Sequence, residues 1–343
     1  MNNIFILVAF AAFISFSLTP IVKKIAIYFN IMDIPKDERR IHNKPIPLLG
    51  GLSIYIAFIL VVILKSGSLT KEEIGIIIGA SIIVIGGILD DKFDIKPWQK
   101  LLFQFSAALG LVITNVQIVY LTNPFNSVNP MISIGILSIP ISILWIVGIT
   151  NAINLIDGLD GLAAGITLIS AITILVAAAM NSRTEAYLLS AIFIGAVAGF
   201  LPFNFNPASI FMGDTGSQLL GFLLAAISME GATKSTAAFA IAFPILAMGL
   251  PIYDTLAAMI RRKVNGMPIL KGDRGHFHHR LLDKGLSQKQ AVLVMYGISA
   301  VLGVFAIIAI KLSDKASYIL LGIVVIAFIV IAWKYGIFKE NEG

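Results

Sequence analysis

Apolar runs long enough to cross a bilayer recur from one end of this chain to the other and leave almost no room for a separate soluble domain. A helix needs about 20 mostly apolar residues to cover roughly 30 Å of hydrocarbon. Of the 343 residues, 58% are hydrophobic and only 13% charged, against about 25% charged in a soluble domain. Backbone polar groups in lipid must be satisfied within the chain, so repeated runs of this length dictate helices. The expected fold is an all-α polytopic membrane protein, with residues 1–343 forming one transmembrane domain. Hydropathy puts helices near 3–22, 47–64, 74–89, 98–114, 135–153, 161–180, 186–201, 216–230, 235–261, 289–310 and 316–335, eleven spans in all. Segment 115–134 is too polar and too interrupted by proline to span, and a short external β-hairpin is expected there. Pro140, Pro244 and Pro251 lie inside apolar runs and are expected to kink the fifth and ninth helices.

Charge fixes an orientation. Alternating the spans puts nineteen Lys and Arg residues on one side and six on the other. The rich side is the cytoplasm by the positive-inside rule. This places the N-terminus outside and the C-terminus inside. The first apolar run, Ile4 to Val22, has no basic residue before it and Lys23-Lys24 after it, the reverse of a cleaved signal. The formal charge of +6 is then a set of topology anchors rather than a sign of nucleic acid. With no cysteine, disulfides and thiolate metal sites are excluded.

On this topology the acids and histidines gather at one membrane edge. Asp90 and Asp91 end the third helix, Asp157 and Asp160 follow the fifth, Asp214 precedes the eighth, and Asp254 lies near the inner end of the ninth. Ionisable groups at membrane depth are costly and mark function by default. Adjacent carboxylates such as Asp90-Asp91 repel unless a cation or proton sits between them. The plain alternative is a solvated helix end beside Lys92.

Asn151, Asn154, Asp157 and Asp160 recur every three residues, nearly on one helical face. Oxygen donors without nitrogen or sulfur suit a hard ion such as Mg²⁺ or Mn²⁺. Gly158 and Gly161 let backbone approach a ligand closely. In Phe211-Met-Gly213-Asp214-Thr-Gly216-Ser217 a glycine-flanked acid enters a helix, whose first N–H groups could receive phosphate while Asp214 holds a bridging cation. Phe211 could stack on a base or simply fill the core. Arg274-Gly-His276-Phe-His278-His279-Arg280 holds three of the four histidines. Phosphate binding and proton transfer suit it better than zinc. Lys100 and Gln104 share a face of the fourth helix, and Lys44 lies just ahead of Pro47 and Gly50-Gly51. A cytoplasm-facing hard-metal site with cationic phosphate clamps suits phosphoryl transfer between a soluble nucleotide and a lipid.

These motifs, in this order, resemble the polyprenyl-phosphate N-acetylhexosamine-1-phosphate transferases, glycosyltransferase family 4. The resemblance runs from about residue 40 to 290. It implies transfer of a sugar-1-phosphate from a UDP-amino sugar to undecaprenyl phosphate, with UMP released and Mg²⁺ or Mn²⁺ required. The family's peptidoglycan branch, which takes UDP-MurNAc-pentapeptide, usually carries three consecutive histidines. The spacing His276-Phe-His278-His279, Asp254 and the eleven expected spans look like the UDP-GlcNAc branch, which serves teichoic acid, O-antigen or related polymers.

By the same resemblance, Asp214 and Asn154 would ligate the metal, with Asp90, Asp91, Asp157 and His279 taking catalytic roles. Lys44, Lys100, Gly158, Leu159, Asp160, Asn204, Phe211, Arg274, His276 and His278 would bind substrate. Leu159 and its neighbours would meet uracil and Phe211 would stack on it. Direct attack of the lipid phosphate on the β-phosphorus competes with a covalent aspartyl-phosphate route. The implied partners are UDP-GlcNAc, undecaprenyl phosphate, the bilayer and a second copy of the chain. An ion-coupled transporter would instead put its polar site at mid-membrane within paired repeats.

Overall fold

The computed structural model describes residues 3–34, 44–122, 131–232, 242–268 and 275–334. The chain folds into helices α1 (Ile4–Tyr28), α2 (Gly51–Ser66), α3 (Lys71–Phe93), α4 (Pro97–Ile113), α5 (Ser138–Ile156), α6 (Leu162–Met180) and α7 (Thr184–Asn204). These are followed by α8 (Gly213–Ala232), α9 (Ala242–Ala247), α10 (Gly249–Val264), α11 (Phe277–Asp283), α12 (Gln288–Lys311) and α13 (Asp314–Lys334). Among the described residues, six helical segments are long and apolar enough to cross a membrane: α1, α3, α5 with the turn before it, α6, α7 and α12.

Local chemistry sets the ends. Thr70 and Glu73 form a reciprocal capping box at the start of α3, and Ser287 and Gln290 do the same for α12. The first helix runs past its expected end near residue 22, through Lys23-Lys24, to Tyr28. It closes where Asn30 adopts a left-handed φ of 54° and the Ile31 N–H returns to the Ala26 carbonyl at 2.8 Å.

The expected ninth helix is two pieces. Pro251 offers no N–H to the Ala247 carbonyl, which instead accepts from the Ser170 hydroxyl at 2.8 Å. Met248 separates α9 from α10 at that point. Pro140 does not kink the fifth helix as expected, because α5 begins at Ser138 and Pro140 lies in its first turn, where an N–H has no helical partner to lose. The hairpin is present: β3 (Tyr120–Thr122) pairs antiparallel with β4 (Met131–Ser133), Leu121 opposite Ile132. Two further short strands, β1 (Met32–Asp33) and β2 (Ile46–Pro47), pair the same way.

The eighth helix is the axis of the bundle. It packs against α2, α3, α5, α6 and α7, and every side chain from Thr215 to Gly231 is buried. Glycines make that closeness possible: a Cβ at Gly51 would strike the backbone of Gly216, and one at Gly87 the backbone of Thr215. The N-terminus of α8 is thereby wedged between the ends of α2 and α3, where the acids lie.

Candidate active site

One cavity of about 830 Å³ opens where α3, α4, α5 and α8 end together. Its wall includes Asp90, Asp91, Lys100, Asp157, Asp160, Asp214 and His279, so segments far apart in sequence bring their charged groups to one place. Gly158, Leu159, Asn204 and Phe211 line it too.

Lys100 is the electrostatic centre. Its ammonium pairs with Asp90 and donates to Asp214 Oδ2 at 2.6 Å. The Asn154 amide donates to the other oxygen of Asp214 at 2.9 Å and to the Ser217 hydroxyl at 2.8 Å. One helical turn deeper on the same three helices, Gln104, Asn151 and Gln218 form an amide layer. Gln104 donates to Gln218 at 3.0 Å, and Asn151 donates to Gln104 at 2.7 Å. Each of its members lies three or four residues from a site residue, so α4, α5 and α8 are clasped twice.

Asp91 turns away from Lys100. Its carboxylate accepts from the backbone N–H groups of Asp214 (2.7 Å) and Thr215 (3.1 Å) and from the Thr215 hydroxyl (2.6 Å). It caps α8 from another helix. The first N–H groups of that helix are therefore not open to phosphate as expected, because the protein's own carboxylate holds them. Gly213 has a φ of +67° and passes so close to Asp91 that a side chain there would collide with the carboxylate.

The Asp157 carboxylate has no hydrogen-bond partner among the described residues, although its backbone N–H reaches the Asn154 carbonyl at 3.3 Å. Burial, then the nearby charges of Asp214, Asp91 and Asp160, push its carboxyl up to about 8. Asp160 braces a loop instead: its Oδ2 accepts from Asn206 at 3.0 Å and from the Ala208 N–H at 2.9 Å, and Asn206 also donates to Gln288 at 2.7 Å. Asn204 donates to the Ile210 carbonyl at 3.2 Å, while its own buried oxygen is unpaired. The Phe211 backbone is stitched between Pro47 and Gly50.

The histidines arrive on α11. His279 reaches the cavity wall, and His278 packs on Gly158 so closely that a Cβ there would overlap its ring. Burial, then the neighbouring His279, hold His278 down near 3, so its ring is neutral. His276 pairs with Asp254.

Residues 73–232 match the family model described as glycosyl transferase family 4. Over 94% of its length the chain is 41% identical to a probable undecaprenyl-phosphate N-acetylglucosaminyl 1-phosphate transferase of Bacillus subtilis (strain 168), covering 90% of that protein. The chain belongs to glycosyl transferase family 4. Within the family it is also similar to a decaprenyl-phosphate N-acetylglucosaminephosphotransferase of Mycolicibacterium smegmatis, 33% identical over 94% of this chain and 86% of the relative. A phospho-N-acetylmuramoyl-pentapeptide-transferase of Clostridioides difficile (strain 630) is 33% identical over 77% of this chain and 83% of the relative.

Some expected residues of this family member stand apart from the cavity. Lys44 is exposed and not on its wall, and His276 and His278 lie behind His279. Arg274 falls outside the described residues. Sequence reasoning quoted Ser217 in its motif without giving it a role, assigned none to Asn206, and missed Gln218 and Gln288. Ser217 and Gln218 were findable, being three and four residues past Asp214 on one helix. Asn206 and Gln288 were not, since their link joins residues 82 apart.

The donor chemistry suits a divalent cation: the cavity offers carboxylate oxygens, and among the described residues Asp157 has like charges around it and no cation paired with it. Among the described residues no three acids or histidines yet form a ready ligand set, and Lys100 supplies the cation between Asp90 and Asp214. A second cleft of about 580 Å³ is almost wholly apolar. It runs along α5 from Ile141 to Ala152, between Trp145, Met229, Ile252 and Met259. Ala152 at its end adjoins Asn151 of the amide layer.

Proposed function

We propose that this chain transfers GlcNAc-1-phosphate from UDP-GlcNAc to undecaprenyl phosphate, releasing UMP and forming a lipid-linked diphosphate sugar for cell-envelope polysaccharide. One observation carries the reading: acids, a lysine and a histidine from separate helices line a single polar cavity, and an apolar cleft runs along α5, the helix that ends just before Asp157. A water-soluble diphosphate and a lipid tail need that pair of surfaces. The two relatives described above that are named for N-acetylglucosamine each match 94% of the chain, against 77% for the Clostridioides difficile muramoyl-pentapeptide relative, which supports GlcNAc as the sugar.

An oxygen of the lipid phosphate attacks the β-phosphorus of the donor, the bond to the α-phosphate oxygen breaks, and UMP leaves. Lys100 offsets phosphate charge, and His279 faces the same space as a donor to phosphate or sugar. Asp90 is held by Lys100, which lowers its reactivity as a covalent nucleophile and favours the one-step route. Asp91 positions α8 and with it Asp214. Mg²⁺ or Mn²⁺, held by Asp214, Asp157 and an Asn154 turned to present its oxygen, would neutralise the diphosphate and stabilise the developing charge. Leu159 and Phe211 offer apolar surface to uracil.

We read the bundle as eleven spans, α9 and α10 together forming one, in a bacterial cytoplasmic membrane with the cavity inside and the hairpin outside. The test is a donor panel on purified protein: UDP-GlcNAc, UDP-GalNAc and UDP-MurNAc-pentapeptide with undecaprenyl phosphate, reading UMP. Turnover with UDP-GlcNAc at least about tenfold above the others is expected. Chelation should abolish it and added Mg²⁺ restore it. Preference for the pentapeptide donor, or full turnover in chelator, overturns the reading.

A further inference from the structure

Asp254 is a buried carboxylate on α10 that lines neither cavity. A charge in that position is costly unless fully bonded. Both its oxygens are engaged: Oδ1 accepts the backbone N–H of Phe277 at 2.8 Å, and Oδ2 lies 2.7 Å from Nδ1 of His276. An ionised carboxylate can only accept, so the proton of that short contact belongs to Nδ1. The other ring nitrogen, Nε2, has no protein partner among the described residues.

His276 is the residue from which α11 starts. Its ring lies nearly parallel to that of His278, 5.7 Å away and 10° inclined, and His278 is 4.1 Å from His279. His279 is on the cavity wall. The His276 and His279 rings are themselves 6.3 Å apart, so the three rings cluster between Asp254 and the polar cavity. His278 is neutral and its ring nitrogens have no hydrogen-bond partner among the described residues, so it does not orient the cluster. On the side away from the cavity, Asp254 ties both the His276 ring and the Phe277 N–H.

We propose that Asp254 is a positioning residue for the histidine segment: it docks the start of α11 through Phe277 and fixes His276 with its proton on Nδ1, and so sets where His279 stands on the cavity wall. The effect on turnover rests on the transferase reading; the dyad itself does not. Orientation and tautomer of an imidazole are set by the partner of its other nitrogen.

Asp254→Asn separates the two jobs. The amide keeps an oxygen for the Phe277 N–H but turns an N–H toward Nδ1, which must then accept, and the ring proton moves to Nε2. The expected result is a melting temperature in detergent within about 3 °C of wild type, with kcat for UDP-GlcNAc lowered by at least about 100-fold and KM for the donor nearly unchanged. The protein has four histidines, so ¹⁵N-histidine spectra are tractable. Wild type should show one histidine protonated at Nδ1 whose signal is lost in His276→Gln and converted to the Nε2–H form in Asp254→Asn. Adding Asp254→Asn to His276→Gln should cost less than about twofold. Turnover of Asp254→Asn within about threefold of wild type, an unchanged histidine spectrum, or losses that multiply in the double variant would each overturn the proposal. If Asp254→Asn does not fold, the wild-type and His276→Gln spectra decide alone, and absence of the Nδ1–H signal rejects it. Failure of wild type to use UDP-GlcNAc would instead count against the transferase reading, while the spectra still judge the dyad.

Discussion

Lys100 holds two carboxylates that would otherwise face each other across a cavity. Asp90 and Asp91 look equivalent in the sequence, and the structure separates them by direction. Neighbouring positions on a helix point about 100° apart, so Asp90 meets Lys100 of α4 while Asp91 meets the start of α8. Adjacent letters carry no such information unless the neighbouring helices are known. The gathering of Asp90, Asp157 and Asp214 was legible, because apolar runs force their ends to one edge. Asp90→Asn should lower turnover by more than about tenfold, roughly 1.4 kcal/mol in barrier. Asp214→Ala should abolish turnover, and excess Mg²⁺ should not restore it. UMP release at saturating substrate checks both. His278 predicts a pH effect. Its folded value is lowered to about 3, while an unfolded histidine titrates near 6.5. Its contribution to stability is therefore complete above about 6.5 and is lost as pH falls from there toward 3. Melting temperatures of wild type should drop across that window more steeply than those of His278→Gln.

The elements that carry the site are held by bonds from other elements. Asp91 caps α8, and Asp254 holds the start of α11. Neither tie is local, and α11 has only seven residues, too few for a periodic signal to be read. The long apolar helices were legible for the opposite reason: their length alone identifies them. Boundaries failed where a tertiary partner took over, as where Ser170 satisfies the carbonyl that Pro251 leaves open. Close approach of α2 and α8 gives an element-scale prediction. Gly51→Ala drives a methyl into the Gly216 backbone and should destabilise by about 1–3 kcal/mol. Gly110→Ala, whose methyl meets nothing within 4 Å, should be neutral or stabilising. Thermal unfolding of the two variants in one detergent compares them directly.

At the scale of the whole molecule, the charge asymmetry of the sequence predicts that the polar cavity faces the cytoplasm and the hairpin the outside. With no native cysteine, single-cysteine labelling is free of background. Lys284→Cys, exposed after α11, should react with an impermeant maleimide only in inverted vesicles, and Thr184→Cys, exposed at the start of α7, only in right-side-out ones. The reverse pattern would invert the topology. One feature of the bundle bears on how it is made. The central helix α8 packs along α2, α3, α5, α6 and α7 and is bonded to α4, yet it is not among the described helices long and apolar enough to cross a membrane. Its Asp214, Gln218 and Glu230 must find partners as they leave water. During synthesis, α8 has to wait at the insertion machinery for companions already in the bilayer, so a ribosome stalled just beyond it would expose whether α2, α3 and α5 have assembled a berth.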